Sequence, residues 1–190
     1  YDLRHYAVEY YCGECDHKGN QKSSYKGYKS VDPADKQLFE EAKRDWETRT
    51  DLHQYVPDGE IPPGHMTSER NPVFDHGYSE WTDMFNERQL LCLSTLLRSI
   101  EKVPNQNAKE YLLLAFSEAL NFNTMMVPYQ AGRNHTNHLF KTNSFDPPQK
   151  SSEGNLWGTK FGIGRFQSTF DMICTAIEYA KSPTDRYIEE

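Results

Sequence analysis

Cys12-Gly-Glu-Cys15 follows the strand-like run RHYAVEYY. Two thiolates at that spacing grip one tetrahedral zinc ion while nearby backbone amides stabilise them, so the pair is one knuckle and supplies half of a metal site. A full site takes two more ligands, and the chain has no second such pair. Either His5 and His17, the close imidazoles, complete an irregular site, or the partner pair lies upstream of Tyr1. The competing reading is a reduced, metal-free turn. A thioredoxin-like redox role is disfavoured, because no strand-helix-strand pattern surrounds the motif. Cys92 and Cys174 fall on apolar faces of helix-like patterns, where a thiol is a small hydrophobe rather than a nucleophile. His135 and His138 stand in the polar run RNHTNHLF, spaced to offer two ligands or one general base. Without a carboxylate pair at matching distance, hydrogen bonding within the loop is the favoured role. No Ser-His-Asp or phosphate-loop spacing occurs elsewhere.

Two further stretches have the outline of methyl-transfer chemistry. They are SFDPPQK, Ser144 to Lys150, and FGIGRF, Phe161 to Phe166. Methylation of an exocyclic amino group uses Asp-Pro-Pro-aromatic: the Asp and a Pro carbonyl accept the amino hydrogens, and the aromatic stacks on the flipped base. Gln149 cannot stack in that way, and no apolar strand leads into the Asp-Pro-Pro, where the motif needs one. A Gly-rich cofactor turn follows a buried strand and opens a helix, and EGNLWGTK before Gly162 is not such a strand. The interval between the two stretches is too short for a strand-helix-strand unit. No catalytic residue is assigned within the chain, and SFDPPQK reads as a Pro-stiffened loop.

The 190 residues make one domain, or one with a small appendage, long enough to bury a core. Only 36% are hydrophobic, so apolar positions are used sparingly and some surface is expected to lean on neighbours. No run approaches the roughly 18 apolar residues of a membrane helix, and no signal segment is present; a soluble, cytoplasmic protein without membrane partners is the expectation. The chain enters its first strand directly at Tyr1, as an excised piece would. A net charge of −7 argues against a free-standing nucleic-acid binder. The charge is uneven, however. His17 to Val31 holds four lysines and no acid, and between Gly132 and Phe166 the cations Arg133, Lys141, Lys150, Lys160 and Arg165 outnumber Asp146 and Glu153.

The elements that must position these residues follow from periodicity and caps. Arg4 to Tyr11 alternates and is aromatic-rich, hence a strand, and SSYKGYKS returns beside it. Asp32 caps a helix with Pro33 at its first position and Leu38, Phe39, Ala42 and Trp46 at helical spacing, ending near Thr50. Residues 51–79, with VPDG, IPPG and NPVFDHG, form a long irregular connection of the kind that is functional or packed onto something. SEWTDMFNERQLLCLSTLLRSIEKV starts a helix at a Ser79 or Thr82 cap, with Leu90, Leu91, Leu93, Leu96, Leu97 and Ile100 as its buried stripe. NQNAKEYLLLAFSEALNFNTMM is a second long helix, completing an antiparallel hairpin. Residues 127–165 are irregular, and a last helix runs from about Phe166 to Lys181 with Phe170, Ile173, Cys174 and Ile177 inward. The expected fold is α+β and mostly α: a β-knuckle with CxxC over residues 1–31, a helix and Pro/Gly-rich connection over 32–79, and a helical region over 80–190 carrying the loop 127–165.

Across most of its length the chain resembles the middle region of large adenine-specific DNA methylases that carry a zinc-ribbon segment. The matching pieces are YAVEYYCGECD with GYKSVDPADKQLFEEA, then IPPG, GYSEWTDMFNERQLLCLSTLLRSI, EALNFNTMMVPYQAGR and EGNLWGTKFGIGRF. Trp81 to Leu91 is the most specific of them and the CxxC the least. In that family the methyl-donor motif lies upstream of such a region and Asp-Pro-Pro-Tyr downstream. The resemblance therefore implies a non-catalytic, target-recognition insert, with S-adenosylmethionine bound only by the intact parent and zinc held in part by Cys12 and Cys15. It implies DNA and the catalytic halves of the same polypeptide as partners. The chain departs from the family in lacking a second cysteine pair.

Polar, basic, aromatic-bearing loops on a helical module suit phosphate gripping beside planar base contacts. The candidate contacts are Arg133, Asn134, Lys160 and Arg165, with Trp157 as a stacking platform or, alternatively, a loop anchor. Arg88 and Gln89 join them; for Arg88 the alternative is a salt bridge to a carboxylate across the packing. The rival function is a structural or protein-interaction module with no DNA affinity of its own.

Overall fold

The computed structural model describes residues 4–17, 26–69, 72–130, 132–133, 135–142, 145–148, 150–158 and 162–184. It is a mixed α+β structure, mostly helical, as the periodicities imply. Strand β1 (Ala7–Tyr11) leads into the one-turn helix α1 (Gly13–His17), and β2 (Lys26–Ser30) pairs antiparallel with β1, setting Glu9 opposite Tyr28 and Tyr10 opposite Gly27. Gly27 is required by its partner: a Cβ there would stand 2.2 Å from the Tyr10 ring, which lies over it.

Helix α2 (Pro33–Thr48) opens on a reciprocal capping box, in which Asp32 accepts the Asp35 N–H at 3.0 Å and Asp35 accepts the Asp32 N–H at 3.0 Å. Helices α3 (Glu87–Glu101) and α4 (Gln106–Phe122) form the expected hairpin, and α5 (Phe166–Lys181) lies against α4. Leu93, Leu96 and Ile100 of α3 interlock with Phe116 and Ala119 of α4 and with Leu156 from the long loop.

The connection over 51–79 is packed rather than free. Short helical turns at Thr50–Tyr55, His65–Glu69 and Val73–His76 bury Leu52, Thr67 and Val73, and Ile61 is buried between the first two turns. Ile61 and Val73 join Met84 and Met126 in a second apolar cluster, and Phe85 packs against both clusters.

Two expectations need correction. The α3 helix does not begin at a Ser79 or Thr82 cap. A 3-10 turn over Trp81–Met84 is closed first, by Asp83 accepting the N–H groups of Ser79 and Glu80 at 2.8 Å each. The α-helix then starts at Glu87, where Asn86 accepts the Gln89 N–H at 2.8 Å and Gln89 accepts the Asn86 N–H at 3.1 Å. Phe170 does not face inward: it is exposed, while Ile173, Cys174 and Ile177 are half-buried and no residue of α5 is fully buried. The helix is an outer layer whose apolar stripe is only partly covered.

Candidate nucleic-acid interface

A cleft of about 1110 Å³ opens between the β1–β2 hairpin, the first half of α2, the start of α3 and the long loop before α5. Planar side chains line it from several elements: Tyr6, Tyr10 and Tyr28 from the hairpin, Phe39 from α2, and Tyr129 from the two-residue strand β3 (Tyr129–Gln130). Tyr6, Tyr10 and Tyr28 are 64%, 45% and 49% exposed; Tyr6 and Tyr10 lie on one face of the hairpin, with the Tyr10 ring over Gly27, and Tyr28, opposite Glu9, lies on the other. Arg4, Lys150, His76 and His135 line the same cleft. His135 belongs to β4 (His135–Thr136), the partner of β3.

The hairpin is tied to the rest of the structure through Lys29, which pairs with Asp35 of α2 at 2.9 Å, and through tyrosine and histidine contacts. Tyr129 donates its hydroxyl to Tyr28 at 3.3 Å, and Tyr28 in turn donates to Glu9 at 2.8 Å, which also pairs with Lys26 at 2.9 Å. Burial first, then these bonds, push the Tyr28 phenol well above its ordinary value, so it stays a donor. His5 stacks edge-on against Phe39 at 4.4 Å and reaches Glu153 at 3.8 Å.

Glu153 organises the inner part of the cleft. Arg88 meets it with two parallel bonds, Nε to Oε1 at 2.6 Å and Nη2 to Oε2 at 2.8 Å, and Asn86 Nδ2 donates to Oε2 at 2.9 Å. The guanidinium also lies over the Phe39 ring, 5.1 Å from its centroid. The Glu153 bonds outweigh desolvation and hold the Arg88 charge more firmly than usual. Arg88 is therefore engaged in an ion pair, and a phosphate reaching it would have to displace Glu153.

The other candidates divide. Gln89 is 3% exposed and its amide oxygen is occupied by the cap, so it stands off the surface where a nucleic-acid contact would lie. This removes it from the contact set, and burial beside Asn86 is the reason. Arg133 is exposed. Trp157 is tied to the helical body by a hydrogen bond from its indole to Cys92, as a loop anchor would be, while 52% of the residue remains exposed. Burial pushes the Cys92 thiol up, against that bond, which keeps it a neutral packing group. Arg165 donates to the Gly162 carbonyl at 3.1 Å and to Ser168 at 2.9 Å, clamping the turn before α5. Asn134 and Lys160 lie outside the described residues. Sequence reasoning missed Asn86, Glu153 and the tyrosines, because each acts through partners distant in the chain.

The two motif-like stretches take structural parts. Phe145 packs against Trp81 and Phe140, and Pro147 and Pro148 line the cleft, the described residues 145–148 being irregular backbone. Gly158 and Gly164 have positive φ, +69 and +75, and a Cβ on Gly164 would stand 2.3 Å from that of Phe122. The Gly164 carbonyl accepts from Asn123, itself buried at the end of α4. His138 packs edge-on to Phe122, its Nδ1 buried without a hydrogen-bond partner.

Cys12 and Cys15 lie at the end of β1, both half-buried, with sulfurs 2.8 Å apart and the Cys15 N–H directed at Cys12 Sγ at 3.4 Å. The bond to the Cys15 side chain, then that to its backbone, lowers the Cys12 thiol from its ordinary value. No group of three or more His, Cys, Asp or Glu gathers for a metal among the described residues. Two thiolates on tetrahedral zinc stand about 3.8 Å apart, given a Zn–S bond of about 2.3 Å. A zinc ion held by this pair would take its other donors from outside the described residues.

The chain was compared with protein families, with curated proteins and with solved structures, and it matches none of them. No helix among the described residues is long and apolar enough to cross a membrane.

Proposed function

We propose that this chain is the DNA-contacting, target-recognition part of an adenine-specific DNA methyltransferase. Its parent's other segments would bind S-adenosylmethionine and carry the catalytic motif, in the cytoplasm where cellular DNA lies. The observation that carries this is the cleft. Exposed tyrosines from both faces of the hairpin, together with Arg4 and Lys150, line it, and a space of about 1110 Å³ exceeds what a small ligand fills. Planar faces beside cations suit a strand whose bases leave the stack, because stacking tolerates any base and the cations follow the phosphates. The net charge of −7 limits this affinity, so most binding strength would come from the intact parent.

Fluorescence anisotropy with a labelled duplex at about 50 mM and about 200 mM salt tests the proposal, since phosphate contacts release counterions and make affinity fall with salt. Weak binding that drops at the higher salt, and drops again in Lys150→Gln or Tyr6→Ala, is expected. No binding at either salt would sink it.

A second reading has its own support. Tyr111 and Leu114 on α4, with Met172 and Tyr179 on α5, are 46%, 62%, 62% and 51% exposed, an apolar surface of the kind protein partners cover. As a protein-interaction module the chain would ignore DNA. As a recognition insert it would offer this face to the catalytic halves of the same polypeptide.

A further inference from the structure

Strand β1 runs along the cleft with one edge open. Val31 N–H donates to the Tyr6 carbonyl at 3.4 Å, and bonded and non-bonded pairs alternate in an antiparallel ladder, so Val8–Lys29 and Tyr10–Gly27 are the bonded pairs that follow. Ala7 and Glu9, opposite Ser30 and Tyr28, therefore turn their N–H and C=O groups away from β2. The sheet has two strands, both residues are exposed, and no backbone partner meets them among the described residues. Every residue of β1 lines the cleft, against only Lys26 and Tyr28 of β2, which puts the open edge on the cleft side of the hairpin. Native sheets blunt such an edge with Pro, Lys or a bulge, and β1, AVEYY in unbroken register, has none of these. The charges around it lean one way. Among the described residues the carboxylates lining the cleft are all engaged: Glu9 by Lys26, Asp35 by Lys29, Glu153 by Arg88, and Asp83 by the N–H groups of its own turn. Arg4 and Lys150 line it exposed and enter no ion pair among the described residues.

We infer that the free edge of β1 takes an extended acidic segment of a partner protein, which adds to the hairpin as a third strand. The segment's main chain pairs with the N–H and C=O groups of Ala7 and Glu9, and its carboxylates meet Arg4 and Lys150. Its alternate apolar side chains fall on the face that carries Tyr6, Val8 and Tyr10. A phosphate backbone could use the two cations, but it has no N–H groups to give the Ala7 and Glu9 carbonyls, whereas a strand satisfies donors and acceptors together. A space of about 1110 Å³ takes an extended segment rather than a folded second copy. This goes beyond the DNA reading, since the two occupants share the cleft and exclude one another.

The probe is a fluorescein-labelled peptide of about nine residues alternating Val and Glu, long enough to span β1, followed by anisotropy without DNA and by amide hydrogen exchange of the chain. In the free chain the Val8 and Tyr10 amides should exchange slowly and those of Ala7 and Glu9 fast, and the bound peptide should slow Ala7 and Glu9. Ala7→Pro removes one edge N–H without touching a bond to β2 and should weaken binding about tenfold. Arg4→Gln with Lys150→Gln, or added salt, should weaken it as well. N-methylation of the peptide tests the same contact on the unaltered chain: methylating one alternate set of residues should abolish binding, and methylating the other should leave it. Failure of the peptide to bind, indifference to both methylated sets, or equal binding of a Val–Lys peptide would each overturn the inference. So would protection at Tyr28 and Ser30 in place of Ala7 and Glu9, or a labelled oligonucleotide that protects Ala7 and Glu9 where the peptide does not. The peptide measurements contain no DNA, so their failure leaves the proposed function standing and the reverse.

Discussion

At the scale of single residues, Glu153 holds the inner part of the cleft together. Its carboxylate receives Arg88 twice and Asn86 once while its side chain is only 16% exposed, against 35% for Arg88. Removing one partner leaves the other with an unmet charge in a partly dry site, which costs more than the pair itself contributes. Glu153→Gln and Arg88→Met should each lower the unfolding free energy by about 1–2 kcal/mol once solvent access at Arg88 is allowed for. The double variant should lose less than the sum, and urea unfolding of all four proteins measures the coupling. Strict additivity would show that the bidentate geometry carries no energy. Gly164 gives a second residue-scale prediction. With φ at +75 and Phe122 Cβ 2.3 Å from where its own Cβ would be, Gly164→Ala should cost at least about 2 kcal/mol through strain and clash together. A stability within about 0.5 kcal/mol of the parent, an effect typical of unconstrained surface sites, would show that the turn is not held by its packing.

At the scale of elements, the 3-10 turn before α3 should contribute to the pH dependence of stability. Burial works to raise the Asp83 carboxyl, but the backbone N–H groups of Glu80 and Ser79 and the Ser79 hydroxyl outweigh it and hold it below the usual carboxylate range. A folded-state value below the unfolded one means the stabilisation is complete above the unfolded carboxylate value of about 3.9 and is lost as pH falls through the folded value. Asp83→Asn should therefore be less stable than the parent near neutral pH. It should also show a flatter stability profile as pH falls below about 4, measured by denaturant midpoints. Equal slopes would remove Asp83 from the account. The same turn shows what local sequence reveals. α2 was legible because Asp32, Pro33 and a helical apolar spacing agree. The α3 stripe was legible at Leu90, Leu93, Leu96 and Ile100 for the same reason. Its start was not, since Thr82 and Asn86 are both acceptable caps, and the choice falls to Gln89 completing the box and Asp83 closing the preceding turn.

At the scale of the whole molecule, the cleft could not be read from local pattern at all. Glu153 lies 65 positions from Arg88, and Tyr129 lies 101 from Tyr28, so no periodicity links the groups that meet there. Cation-rich segments were visible as composition, but composition does not distinguish Arg133, which is exposed, from Arg165, which is spent on a turn. What composition did anticipate is an economy of apolar residues, and the structure shows its consequence in α5, a helix with no fully buried residue. Leu114 and Met172, each 62% exposed on the α4 and α5 pair, are the most open of the large aliphatic side chains on these two helices. Each would lose most of its remaining contact with water on meeting a matching surface, and at about 25 cal/mol per Å² such contacts drive association. The isolated chain should therefore sediment with a concentration-dependent increase in mass. Leu114→Glu combined with Met172→Glu should restore a monomer while shifting stability by no more than about 1 kcal/mol, because neither side chain is part of the packed core. A monomer at every concentration before substitution would show that this face is tolerated open to water. Self-association that survives both charges would move the interface elsewhere, with the exposed tyrosines of the hairpin next to be substituted.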